Sequence, residues 1–335
     1  MPLKETHGFT PVIFAIFGNG FVTIIKFVAA FASGSSSMLS EAVHSVADTL
    51  NQIFLLVGLK KSLKKADSQF EYGYGNERFF WGLVSALGIF FIGAGITAYN
   101  GLSSLAHPEH IDFSPILFIT LAVAFLVELF TLRVAYQELV RNFPNMSFRE
   151  RIRESDSATL AVLLEDSVAI LGVIVASVSI LLSYYLNNPL WDAIGSLIIA
   201  SLLASVAIAL VVKNRSYLLG RAMPDELRAE VIAYLKTEPS IEKIIDFKSS
   251  TLGLGMYRIK CEVEFNGGAL LREAHRGDDM RNQFEEVNND FEEFKKFLAE
   301  YSDRIPRLMG KRIDKIEKEI RERFPSIKNI DIEIN

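Results

Sequence analysis

Long apolar runs fill the first two thirds of this chain, and they leave few folds open. Six of them are long enough to cross about 30 Å of hydrocarbon as a helix: residues 11–31, 37–60, 79–105, 113–139, 157–185 and 190–213. Backbone amides in lipid must be satisfied within their own segment, so runs of this length read as helices rather than strands. Half of the 335 residues are hydrophobic, yet beyond residue 213 the chain turns highly charged. The expected architecture is an α-helical membrane domain of six transmembrane helices, residues 1–213, followed by a soluble domain, residues 214–335.

The connections set an orientation. Lys60, Lys61, Lys64, Lys65 and Arg78 lie between the second and third spans; Arg141, Arg149, Arg151 and Arg153 lie between the fourth and fifth; Lys213, Arg215 and Arg221 follow the sixth. The alternate connections, residues 34–36, 106–112 and 187–189, contain neither Lys nor Arg. The positive-inside rule therefore predicts both termini in the cytoplasm. A net charge of -5 carries no basic footprint for nucleic acid. The single cysteine, Cys261, can form neither an internal disulfide nor a thiolate zinc cluster, which suits a reducing compartment. No cleavable signal peptide is evident, because the first apolar run continues to span length.

The soluble part reads as α+β. Pro224 and the acids after it open a helix over residues 225–236, and residues 244–250 form a weak strand. Residues 256–265 alternate cleanly, with Tyr257, Ile259, Cys261, Val263 and Phe265 on one face and Arg258, Lys260, Glu262 and Glu264 on the other. A charged, largely helical stretch follows over 272–323, divided at Pro306, before a last strand around Ile330, Ile332 and Ile334. Helix, strand, strand, helices, strand suggests a small mixed or antiparallel sheet. Cys261 is most simply a core residue of its strand.

The chemistry lies inside the apolar runs. His44 and Asp48 are four residues apart, on one face of the second span, with Glu41 before them and Asn51 after. A carboxylate at mid-span opposes insertion by roughly 3 kcal/mol, so it implies a task. Neutral imidazole plus carboxylate is a partial ligand set for a divalent transition metal. In the fifth span Glu165 and Asp166 are adjacent, between the apolar stretches 160–164 and 170–175. A bound cation would offset their burial. The second and fifth spans are antiparallel, so packing can bring His44, Asp48 and Asp166 together. The bland alternative is a hydrogen-bonded pair that joins two spans. Glu165 is a further candidate ligand, a proton relay, or a partner of Lys26, which can also snorkel to the interface. Asn51 reads as a packing residue, and Glu128 as pairing with Arg133 or lying near the cytoplasmic edge. His107 and His110, with Glu109 and Asp112, read as a solvated outer loop.

The stretch Ser40-Glu-Ala-Val-His-Ser-Val-Ala-Asp48 resembles the second-span signature of the cation diffusion facilitators. Tyr72-Gly-Tyr-Gly75 with Glu77-Arg78 resembles the start of that family's third span, and Asp166 with Gly172-Val173 its fifth-span signature. The resemblance implies a dimeric divalent-metal/proton antiporter with six spans and a cytoplasmic ferredoxin-like domain. It also implies that His44, Asp48 and Asp166 are transport-site ligands. The fourth ligand position falls on Val162, which cannot coordinate, and Glu165 is the substitute at hand, about 100° around the helix from Asp166. The Glu165–Asp166 pair resembles the branch that includes a mitochondrial zinc exporter of animals. A second family site keeps Asp67 but has Phe70 and Tyr74 at its histidine positions, so no metal is expected there. Of the regulatory site in the soluble domain, only His275 remains as a histidine, within residues 267–300, which look like a charged helical insertion.

The expected function is therefore export of a divalent cation, zinc first, from the cytoplasm in exchange for protons. The alternatives are manganese, iron or cobalt as main substrate, or a passive channel. An intramembrane metalloprotease would carry a His-Glu-x-x-His helix, which is absent, so no enzyme and no resident cofactor is expected. A metal sensor is disfavoured by the few histidines in the soluble part. Expected partners are the metal ion, protons, the lipid bilayer and a second copy of the chain, with the protein in a bacterial or archaeal cell membrane.

Overall fold

The computed structural model describes residues 8–33, 36–107, 115–144, 146–274, 280–288 and 290–335. Within these, the side chains of residues 29–30, 32–33, 36–44, 47, 115–118, 153, 274, 280, 283 and 286 fall outside the description. The chain forms two compact units, the first ending at Leu219 and the second beginning at Gly220.

The first unit is helical. Its elements are α1 (Phe9–Ser33), α2 (Ser36–Ser62), α3 (Glu77–Gly88), α4 (Gly95–Ala106), α5 (Pro115–Asn142), a short α6 (Phe148–Glu154), α7 (Ser157–Tyr185) and α8 (Leu190–Leu218). A π-helical segment, Ile89–Ala94, joins α3 to α4, so residues 77–106 form one continuous helix with a wide turn inside it. Such π segments arise where an extra residue is held in the helix, often near functional sites.

Six spans were expected; among the described residues five helices are long and apolar enough to cross a membrane. They cover Phe9–Val28, Glu77–Ala106, Ile119–Asn142, Ser157–Tyr185 and Leu190–Leu218. The expected second span is α2, a helix of 27 residues, about 40 Å long at the usual rise. Its polar content, Asp48, Asn51 and Gln52 among the described side chains, keeps it below the apolarity of the others. It packs against α1 on one side and α3 on the other. Outward faces of the bundle carry large apolar side chains such as Phe17, Phe31 and Phe91, a pattern suited to lipid and not to water.

The tightest apolar packing sits toward the end of the bundle that bears the basic connections. Val12 and Ala15 of α1, Leu55 and Leu59 of α2, Ala135 and Leu139 of α5, Leu160 to Leu163 of α7, and Ala207 and Leu210 of α8 form one cluster. That same end is tied by polar contacts. Asp156 caps α7, its side chain accepting from the Ala158 amide at 3.1 Å, and pairs with buried Arg78 at the start of α3, Nε to Oδ1 3.4 Å. Lys213 of α8 donates to the carbonyls of Ile152 and Ser155 at 2.8 and 2.9 Å. The Gly8 amide donates to Glu138 Oε1 of α5 at 2.9 Å. Gly58 lets α2 approach α3: a Cβ there would lie 2.6 Å from Trp81 Cβ.

The second unit is α+β. It contains α9 (Asp225–Leu235), β1 (Ile241–Gly253), β2 (Met256–Phe265), α10 (Gly267–Ala274), α11 (Met280–Val287), α12 (Phe291–Arg323) and β3 (Ile327–Ile334). The sheet has three strands in the order β1-β2-β3, antiparallel between β1 and β2 and parallel between β2 and β3. The alternation of β2 places Ile259, Cys261 and Val263 in a core with Val231 and Leu235 of α9 and Ile316 and Ile320 of α12. On the opposite face Lys260 pairs with Glu333 at 2.6 Å and Arg258 with Asp331 at 3.8 Å, across the β2–β3 ladder. The division expected at Pro306 does not occur; α12 runs through it without a break. Proline removes one helical hydrogen bond, and flanking i,i+4 pairs such as Asp303–Arg307 support the turn across it.

Burial, and secondarily the charge of Asp246, pushes the Cys261 thiol up to about 11. The thiol of the unfolded chain ionises near 8.5, so stability falls as pH rises from there toward 11. Iodoacetamide at mildly alkaline pH is expected to leave the native protein unmodified and to alkylate it fully in denaturant, read by mass spectrometry. Equal alkylation in both states would contradict this burial.

Candidate metal site within the membrane bundle

The middle of α2 presents a polar face to α7. His44 lies on this helix, and its side chain is outside the description. Asp48 is one turn on and half-buried. Gln52, a further turn along, is fully buried, and its Nε2 donates to Glu165 Oε2 of α7. Asn51 points elsewhere: its Oδ1 occupies the space beside Gly88 of α3, where a Cβ would come within 2.5 Å.

On α7, Asp166 is 1% exposed and Glu165 is 7% exposed. The Asp166 carboxylate lies near Glu128 and Thr131, both on α5; the Thr131 hydroxyl itself donates to the Val127 and Glu128 carbonyls, at 3.3 and 3.1 Å. Asp48 acts electrostatically on Glu165, Asp166 and Glu128, so the four acids share one neighbourhood. Lys26 of α1 also acts on Glu128. Four oxygens in this region are buried and meet no donor: Gln52 Oε1, Glu128 Oε2, Glu165 Oε1 and Asp166 Oδ2. Buried acceptors without a partner are costly, and a group of them is a place where a positive charge would be stabilised. Among the described residues, no three His, Cys, Asp or Glu side chains stand close enough to hold a metal ion as they are. Closing on an ion requires the acids to draw together, or His44 to join them.

Of the expected ligands, Asp48, Glu165 and Asp166 fall in this neighbourhood, and Val162 is fully buried in the apolar cluster. Two residues of the region were missed. Glu128 was assigned to Arg133 or the membrane edge, but it lies near Asp166, while Arg133 is exposed. Its position near the middle of α5 was the available signal. Gln52 extends the His44–Asp48 stripe by one more turn, and an uncharged amide did not draw notice. His107 is exposed; Glu109, His110, Asp112 and His275 lie outside the described residues.

The connection between α2 and α3 is built around Asp67. Its Oδ2 accepts from Lys64 Nζ and from the Tyr74 hydroxyl, each at 2.8 Å. Its Oδ1 accepts from the amides of Gln69 and Phe70, each at 3.0 Å. The Lys64 ammonium, then the Tyr74 hydroxyl and the amides, hold the Asp67 carboxyl well below the usual carboxylate range. Asp67 in turn raises Lys64 above its ordinary value. Every lone pair that a metal would need there already has a proton donor.

A bundle of apolar helices with acids buried at its middle defines an integral membrane protein built to handle cations. The family described as the cation efflux transmembrane domain matches residues 12–219, and the chain belongs to that family. Its members are transporters and not enzymes. The chain is 38% identical over 329 residues to a protein of Homo sapiens named proton-coupled zinc antiporter SLC30A9, mitochondrial, covering 96% of this chain and 58% of that one. It is 33% identical over 342 residues to metal tolerance protein C4 of Arabidopsis thaliana, covering 99% and 74%. A cation-efflux pump of Shewanella oneidensis, FieF, is 26% identical over 255 residues, covering 75% and 80%. The chain thus spans little more than half the length of its human relative.

Proposed function

We propose that this protein is a secondary active transporter that exports a divalent cation, zinc first, in exchange for protons. The observation that carries the reading is the pair of donorless oxygens, Glu165 Oε1 and Asp166 Oδ2, buried on α7 and within the field of Asp48 on α2. His44 and Asp48 supply one side of the site and Asp166 the other, with Glu165 as the replacement for the non-coordinating Val162. Metal ligands must lose their protons to bind, so the same groups carry either protons or the ion. Alternating exposure of the site to the two sides then couples the flows. Imidazole, which titrates near neutral pH, suits this exchange. The name of the human relative, a proton-coupled zinc antiporter, supports zinc and protons as the exchanged pair.

In this reading α2 is the sixth crossing, both termini lie on the side of the basic connections, and that side is the cytoplasm of a bacterial or archaeal cell. Residues 1–213 form the transport domain and 214–335 a ferredoxin-like dimerisation domain, with 267–300 as its charged insertion.

The test is zinc flux into liposomes that hold the purified full-length protein. Flux is expected to saturate with zinc, to need an opposing proton gradient, and to stop when a protonophore collapses that gradient. Flux that continues unchanged after collapse would make the protein a passive pathway.

A further inference from the structure

We infer that Glu128 of α5 is a further ligand of the transported ion, beside those on α2 and α7. The inference rests on the metal site proposed above and extends it to a third helix.

Glu128 lies near the middle of α5, which packs against both α1 and α7. Its carboxylate reaches Asp166, which is 1% exposed. Glu128 Oε2 and Asp166 Oδ2 are both buried and meet no donor. Two buried carboxylates near one another are stabilised by a positive charge between them, either a shared proton or a cation. The neighbouring acid Glu165 is differently placed: one of its oxygens is already engaged by Gln52 Nε2 of α2. Glu128 thus offers, from α5, a second acid near Asp166 whose oxygen has no partner. Thr131, one turn beyond Glu128, also lies near Asp166, while its hydroxyl donates to the Glu128 carbonyl at 3.1 Å. α5 and α7 thus meet here through a polar seam. Gly18 of α1 lets α1 close on the same stretch: a Cβ there would lie 3.0 Å from both Thr131 Cγ2 and Val127 Cγ1. With Glu128, Asp166 and Asp48 the ion would be held from α5, α7 and α2 together. An all-oxygen contribution from two facing acids, beside the imidazole of His44, gives the mixed donor set that zinc accepts.

The competing role for Glu128 is that of counter-charge to Lys26, which acts on it from α1. The two roles separate by experiment. Zinc binding is measured by titration of the full-length protein in detergent, and cobalt is used as a spectroscopic stand-in, for the unaltered chain, Glu128→Gln and Asp166→Asn. Glutamine keeps the shape of the side chain, and size-exclusion profiles check folding. Zinc affinity is expected to fall about 100-fold or more in both variants, at or beyond the upper end of what supporting residues around a metal cost. The cobalt visible bands at saturation are expected to differ from those of the unaltered protein in both.

If Asp166→Asn loses affinity while Glu128→Gln binds like the unaltered chain, the inference fails and the metal site stands. If Glu128→Gln binds more weakly but gives an unchanged saturated cobalt spectrum, Glu128 acts from outside the coordination shell and the inference also fails. If the unaltered chain binds neither metal, or neither variant changes binding, the site itself is wrong and the inference falls with it.

Discussion

Asp166→Ala is expected to abolish zinc-driven proton movement in liposomes while leaving the protein as stable as before or more so. The carboxylate is 1% exposed, and its Oδ2 has no donor. Removing such a group takes away an uncompensated buried acceptor, and buried acids in apolar surroundings cost stability when nothing pairs with them. Function lost with stability kept is the signature of a site maintained for chemistry at the expense of the fold. A loss of transport of about 100-fold or more is expected, at or beyond the upper end of what supporting residues around a metal cost, read by a pH-sensitive dye inside the vesicles after a zinc jump. Thermal unfolding in detergent supplies the second reading. His44→Ala is expected to give the same loss of transport. Normal proton movement in both variants would refute the site.

The second large effect is on folding. Arg78→Ala is expected to destabilise the membrane unit by about 3–5 kcal/mol, because it strands Asp156 as a buried charge. The two side chains are 4% and 3% exposed and approach to 3.4 Å. Asp156 also caps α7, so Asp156→Ala would add the loss of a cap, about 1 kcal/mol, to the loss of the pair. Asp156→Asn in the Arg78→Ala background removes the stranded charge and keeps an acceptor at the cap. It is expected to recover a large part of the lost stability. Unfolding in detergent, followed by the fluorescence of the two tryptophans, gives the comparison. Equal stability of Arg78→Ala and the unaltered protein would show that water or lipid headgroups reach Asp156 in solution.

The site was legible where charge interrupts apolar sequence. Glu165 and Asp166 stand out because their flanks are Leu, Val and Ile, and Asp48 because it sits a turn from His44. Glu128 escaped because Arg133 follows five residues later and suggested a local pair. At five residues the two lie about 140° apart on a helix, so they do not face each other. Gln52 escaped because its role depends on Glu165, which is 113 positions away in the chain. In the second unit β2 was readable from its strict alternation, with Ile259, Cys261 and Val263 inward. β1 was read too short, because exposed Glu242 and Lys243 break the apolar pattern before Ile244, and pairing with β2 carries the strand from Ile241 to Gly253. The π segment Ile89–Ala94 carries no local signal beyond Gly93, and α12 continues through Pro306 although proline removes one of its hydrogen bonds.

The Asp67 turn has one more implication. An ammonium tethered by its own side chain, Lys64, does what a dissociable ion would otherwise do in that connection. A tethered charge cannot be stripped by chelators or diluted away when the cell is starved of metal. The linkage from α2 to α3 therefore keeps its shape whatever the supply of metal around it.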